Sequence, residues 1–264
     1  MSTYTPQPWT RLIRFTATES RGLKIHIGQP CNPAQDVGLA LLHHEPVKAF
    51  EISGTSALDA HAYVTQRVLT VETLLAPVDA GQVGVARFLG LNYTDSALVL
   101  VISRQARDVP PSRALDYVLG YTGGNDVSFR MHQAAVPQFG FSKGFDGSAP
   151  WGPVLVRAGA IGDPQNLGLR TTLNGEVMQD GNTRNMIFSV AESISFLSQG
   201  TTLQPGSLLW TGTPAGCGFA RNPQVVLKHG DEVRVWVGGG VGTLVNSVEE
   251  EGREREGERE RARL

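Results

Sequence analysis

Cysteine is scarce. Only Cys31 and Cys217 occur in 264 residues, too few and too far apart for a disulfide framework or a cysteine-based zinc site. Long apolar runs are missing too: stretches such as Leu98-Val99-Leu100-Val101-Ile102 fall far short of the roughly 20 residues a membrane-spanning helix needs. The opening MSTYTPQPWTRL lacks a basic segment followed by an apolar one, so no secretory signal is visible. A cytoplasmic protein with no membrane partner is the expectation. Neither charge dominates. The formal net charge is −2, and residues 249–264 alone hold seven Glu and five Arg, which leaves a body of eighteen acids and eighteen bases. A neutral body without a basic stripe argues against a nucleic-acid partner. There is no GxSxG and no P-loop, so serine-hydrolase and nucleotide-binding readings lack support. The histidines His26, His43, His44, His61 and His229 show no metal-ligand spacing with cysteine or with one another.

What is present is a chain able to build a core, 41% hydrophobic and 18% charged, with 31 Gly and 15 Pro. The pattern reads as α+β and rich in β. Leu23, Ile25 and Ile27 alternate with polar residues, and Val37, Leu39 and Leu41 continue that alternation, as half-buried antiparallel strands do. Residues 55–69 read as a helix, and a joint near 76–86 leads into a second region. Residues 98–103 suit a central buried strand. Pro110-Pro111-Ser112 reads as a helix start, with Ser112 as N-cap, Leu115, Val118 and Leu119 on one face and Gly120 as terminator. Asn174-Gly175 between short strands is a hairpin signal. Ile187, Val190, Ile194 and Leu197 recur at helical steps. Pro205-Gly206, Gly230-Asp231 and Gly238-Gly239-Gly240 mark turns into the last strands. The expected organisation is a small N-terminal β region over 1–80, a main domain over 81–248 and a charged low-complexity tail over 249–264.

Four polar clusters interrupt the apolar scaffold: LNYTD (91–95), GGNDVSFRMHQ (123–133), FSKGFD (141–146) and TGTPAG (211–216). Asp126 follows a glycine pair and suits either a hard cation or an ordinary turn or helix cap. Arg130 and Gln133, three residues apart, share one side of a helix and together suit a carboxylate or carbonyl, or else a surface ion pair. His132 lies between them and can point elsewhere. Lys143, between Phe141 and Phe145, is either a partly desolvated electrostatic clamp or a lysine laid along apolar surface. TGTPAG offers backbone N–H groups unobstructed by side chains, suited to an oxyanion, although most such loops are simply turns.

In this order, the clusters resemble the fumarylacetoacetate hydrolase family. The resemblance runs through LNYTD, ISRQARDV, ALDYVLGYTGGNDVSFRMHQ, FSKGFD, GPVLV, IGDPQNLGLRTTLNGEVMQDGNT, FLSQGTTLQPGSLLWTGTPAG and VGTLVN, over roughly 88–246. It implies a β-rich mixed fold that forms a homodimer, and a divalent cation, Mg²⁺ or Mn²⁺ or Ca²⁺. It further implies a small diketo-acid or oxo-acid substrate whose C–C bond is hydrolysed or decarboxylated. By the same resemblance Asp126 matches the metal-ligating Asp of an NDxSxR motif, and Arg130 and Gln133 match substrate-facing residues. Lys143 matches a motif lysine with a substrate-binding and catalytic role, and Gly212 and Thr213 match the substrate-binding TGTP loop.

One departure bears on activity. In the family, LNYxD is followed by a His, a lid and a Glu-x-Glu pair that leads into the apolar strand. Here LNYTD runs directly into Ser96-Ala97-Leu98-Val99. Several tens of residues are missing, with the His and Glu that activate water and the two carboxylates that share the metal with Asp126. Asp95 and Ala97 stand where the pair belongs, yet Asp95 also ends LNYTD. Two intact motifs abut without a linker, the pattern a skipped exon would leave. Metal binding should then be weakened. Two functions follow: a metal-dependent enzyme acting on a C–C bond of a small diketo or oxo acid in a specialised catabolic or secondary-metabolite pathway, or a catalytically impaired relative that binds a small acid or a partner.

Overall fold

The computed structural model describes residues 8–89, 96–136 and 138–250. Its elements run β1 (Arg11–Ala17), β2 (Ile25–Pro30), α1 (Val37–Leu42), β3 (Lys48–Ile52), β4 (Val64–Leu75), β5 (Ala86–Phe88), β6 (Ser96–Ile102), β7 (Ala106–Arg107) and β8 (Val118–Asn125). There follow α2 (Arg130–Ala135), α3 (Gly140–Lys143), β9 (Trp151–Arg157), β10 (Gly168–Leu173), β11 (Glu176–Asn182) and α4 (Val190–Leu197). The last strands are β12 (Thr202–Leu203), β13 (Leu208–Trp210), β14 (Glu232–Val237) and β15 (Gly242–Ser247). The class is the α+β, β-rich one read from the sequence.

Nine strands form one sheet in the order β2-β3-β4-β1-β9-β8-β6-β13-β5, and β11-β10-β14-β15 form a second. The strand β6 explains how they pack. Its Leu98, Leu100 and Ile102 belong to one buried cluster with Val233, Val235 and Val237 of β14 and Val190 and Ile194 of α4. Its Val99 and Val101 face the other way, into a cluster with Leu12, Leu155 and Trp210. A strand buried on both faces needs an uninterrupted apolar run, and LVLVI supplies it.

Several local expectations hold. Asn174 and Gly175 both take positive φ, 51° and 84°, as a two-residue hairpin turn between β10 and β11 requires. The helix α4 starts with a capping box in which Ser189 and Glu192 satisfy each other's backbone N–H; Ile187 lies outside it and is exposed.

Three expectations fail. Val37, Leu39 and Leu41 lie on a helix, not a strand, because Asp36 caps it by accepting from the Leu39 N–H at 3.2 Å. The same carboxylate accepts from the Thr243 N–H at 3.0 Å and hydroxyl at 2.7 Å, so a residue of the N-terminal region ties down the final strand. Residues 55–69 are not helical. Turns around Ser56 and Asp59 precede β4, whose Val64, Thr65, Val68, Thr70 and Val71 favour a pleated surface. The Pro110-Pro111-Ser112 segment forms a 3₁₀ turn over Pro111–Tyr117 capped at Pro110, and Val118 and Leu119 enter β8. Gly120 does not terminate a helix; a Cβ there would lie 2.4 Å from the Val156 carbonyl oxygen, so close strand pairing demands glycine.

Gly124 in β8 makes a similar demand. A Cβ there would come within 2.3 Å of the Trp210 ring and 2.6 Å of Val99. Gly124→Ala should therefore overpack a filled interior and lower the unfolding free energy by about 2 kcal/mol or more. In urea denaturation, Gly84→Ala, with nothing within 4 Å of its Cβ, should differ little from the parent chain. Equal stability of the two variants would contradict this packing.

Candidate active site

The site grows from the C-terminal end of β8. Strand pairing sets Ser96 opposite Asn125 and Ala97 opposite Gly124, so β6 begins level with the residue before Asp126. Asp95, the other candidate for the missing pair, lies outside the described residues, as does the rest of LNYTD. Past Asn125 the chain leaves the sheet but stays tied to the 142–148 segment. The Val127 N–H donates to the Ser148 carbonyl at 2.9 Å and the Phe129 N–H to the Ser142 carbonyl at 3.2 Å. These bonds bring two of the sequence clusters together.

Where they meet, the Lys143 ammonium forms an ion pair with Asp126. Lys143 Nζ also donates to Ser128 Oγ at 3.1 Å and sits 5.6 Å from the centre of the Phe88 ring. Both charged side chains are only 14% exposed. Phe88 stacks on Trp210 at 4.9 Å, and Trp210 fills the space left by Gly124. Gly124, the second glycine of the pair before Asp126, thus admits the indole that backs the ring beneath the ammonium.

Arg130 opens α2 one turn further on. Its guanidinium donates to Gln133 Oε1 at 2.7 Å, so the three-residue spacing does place the two on one side of a helix. It also reaches Cys217 Sγ at 3.4 Å and lies 5.1 Å from the centre of the Phe219 ring. Cys217 directly follows TGTPAG, so the GGNDVSFRMHQ cluster is held beside that loop. That loop is fixed from behind. Thr211 and Thr213 are buried, the Thr211 hydroxyl donates to the Leu98 carbonyl at 3.0 Å, and the Thr213 hydroxyl donates to Gln179 Oε1 at 3.3 Å. Gln179 returns its amide N–H to the Pro214 carbonyl at 2.7 Å. Gly212 takes φ 81°, a left-handed conformation suited to glycine.

Ser128, Phe88, Gln179, Cys217 and Phe219 were not singled out in the sequence. Ser128 alone carried a signal, as the serine of the NDxSxR pattern; the others are brought in by sheet pairing and loop packing. His132 points away from the guanidinium into a ring cluster, 5.2 Å from Phe141 and from Phe145. A cavity of about 1140 Å³ is lined by the 143–151 turn, including Lys143, with α1, the end of β4 and β15; neither Asp126 nor Arg130 lines it.

Two cationic side chains and a polar loop are thus grouped on a mixed β fold. Residues 72–249 match the family model described as fumarylacetoacetate (FAA) hydrolase C-terminal. The chain belongs to this family. It is 40% identical over 291 aligned positions to a caffeoylpyruvate hydrolase of Neonothopanus nambi, covering 92% of this chain and 94% of that one. A fumarylacetoacetate hydrolase domain-containing protein 2 homolog of Dictyostelium discoideum is 39% identical over 188 positions, covering 67% of this chain and 58% of its own length. Among solved structures, a 2-hydroxyhepta-2,4-diene-1,7-dioate isomerase from Mycobacterium marinum matches with TM-score 0.72 at 28% identity, over 92% of this chain and 100% of that one. A fumarylacetoacetate hydrolase from Exiguobacterium antarcticum matches with TM-score 0.69 at 26% identity, over 91% and 99%. With 92% of this chain entering the 291 positions of the first alignment, about 48 of them face no residue of it, a shortfall of the size read at the Asp95–Ser96 junction.

Members of the family generally bind a divalent metal. The described residues do not make a cradle for one: among them no three His, Cys, Asp or Glu side chains come together, and the Asp126 carboxylate is engaged by Lys143.

Since Asp126 and Lys143 are both largely shielded from water, each is expensive without the other. Asp126→Asn should lower the unfolding free energy by about 2–3 kcal/mol, toward the lower side of the range for a buried pair losing one partner. Adding Lys143→Met to it should recover part of that loss in chemical denaturation. Strictly additive losses would show that the two charges do not depend on each other.

Proposed function

We propose that this chain binds the carboxylate end of a small diketo or oxo acid at Arg130 and Gln133 and hydrolyses its C–C bond. The observation that carries this reading is the held guanidinium of Arg130, braced by Gln133 and set against Cys217 at the end of the TGTPAG loop. A braced guanidinium offers paired N–H donors matched to a carboxylate, and an adjacent loop rich in backbone N–H groups suits the oxygen on which charge develops. In this role Gly212 and Thr213 contribute backbone rather than side chain, since the Thr213 hydroxyl is bonded to Gln179. Lys143 supplies the second positive charge.

For an acylpyruvate, the class to which the Neonothopanus nambi relative's name points, the balance is simple. Water adds its oxygen to the acyl carbon, and the bond from that carbon to the methylene breaks. The electron pair passes to the methylene carbon, which takes a proton, leaving a carboxylic acid and pyruvate. The fixed cations would lower the cost of the enolate-like leaving group. A positioned base typically adds about 10²–10⁴-fold to such a step. Among the described residues of this site, the side chains able to act so are Asp126, paired with Lys143, and His132, packed among phenylalanines.

That arrangement, with the 48-position shortfall, favours a second reading in which the chain binds the acid without turning it over. Acylpyruvate consumption followed by loss of enol absorbance, beside calorimetric titration with oxalate, separates the two. On the first reading turnover is measurable, and Arg130→Ala weakens oxalate binding about tenfold or more, the loss of a charge-assisted contact. Oxalate binding with no turnover supports the second. Neither binding nor turnover contradicts both.

A further inference from the structure

Asp126, in the position the family assigns to a metal ligand, already holds a cation, and that cation belongs to the chain. An ammonium has three N–H bonds to satisfy. Lys143 Nζ donates to the Asp126 carboxylate and to the Ser128 hydroxyl at 3.1 Å, and the Phe88 ring centre lies 5.6 Å away, within the range of a cation–π contact. The support continues through the Phe88–Trp210 stack to the opening that Gly124 leaves in β8. A lysine merely laid along apolar surface would keep its charged end in water; this one is 14% exposed. A hard divalent ion asks for about six oxygens, with carboxylates among them. To enter here it would have to share or take Asp126 from Lys143 and tolerate an ammonium at close range, where like charges repel strongly.

We propose that the Lys143 ammonium is the resident cation of this site and competes with divalent ions for Asp126. A divalent ion approaching Asp126 then meets a competitor built into the chain. The inference concerns the chain's own residues and does not depend on which reaction the site performs.

Mn²⁺ titration followed by electron paramagnetic resonance, on the intact chain without substrate, tests it. Lys143→Gln should bind Mn²⁺ about tenfold or more tightly than the parent chain. Lys143→Arg, which keeps a cation in place, should stay as weak as the parent. Adding Asp126→Asn to Lys143→Gln should abolish the gain. Phe88→Leu, which removes only the ring face, should shift affinity the same way by a smaller factor and serves if Lys143→Gln fails to fold by circular dichroism. Lys143→Gln binding no tighter than the parent would overturn the proposal, as would Asp126-dependent binding in the parent equal to that of the variant. If only Phe88→Leu folds, an unchanged affinity in it does so. No substrate enters the measurement, so failure here leaves the proposed reaction standing, and absence of turnover leaves this inference standing.

Discussion

A single ion pair in a shielded position, Asp126 with Lys143, is the constraint around which the site is organised. Its partners come from the end of β8 and the end of α3, and backbone hydrogen bonds between 127–129 and 142–148 hold those segments together. Beneath it lies a stack of consequences. Gly124 has no Cβ, so Trp210 can press against β8; Trp210 carries Phe88; Phe88 offers its face to the ammonium. Removing a charge from such a position costs more than the contact itself, because the remaining charge stays shielded from water.

Much of this could be read from the residues, and the parts that could not share a cause. The apolar run at 98–102, the Asn174-Gly175 turn and the capped helix after Ser189 are local patterns whose chemistry decides their structure. The segment at 37–41 misled because alternation over so few residues fits a strand as well as one helical turn, and the Asp36 cap, with its bonds to Thr243, decided the matter across the chain. Residues 55–69 misled because an apolar count hides the β-branched side chains that favour β4. In the site, Asp126, Arg130, Gln133, Lys143 and the TGTP loop were legible through the order of motifs. Phe88, Cys217 and Gln179 were not, since each reaches the site through parallel pairing of β5 with β13, a loop end or the neighbouring sheet.

Holding an acid and cleaving it are separable tasks, and the geometry of Arg130 and the TGTPAG loop bears on the first. Arg130 is braced on two sides, and the TGTPAG loop is locked by Gln179; both are features of a preorganised binding surface. By the family resemblance, the segment expected to activate water is the one that the Asp95–Ser96 junction lacks. Family membership therefore establishes scaffold and ancestry, while the reaction rests on residues beyond the motif match.

The most direct measurement is a crystal structure of the full chain grown with oxalate and millimolar MgCl₂. The account predicts Lys143 Nζ within hydrogen-bonding distance of the Asp126 carboxylate, with oxalate on the Arg130 guanidinium. A magnesium ion coordinated by Asp126, with Lys143 swung out of reach, would contradict it.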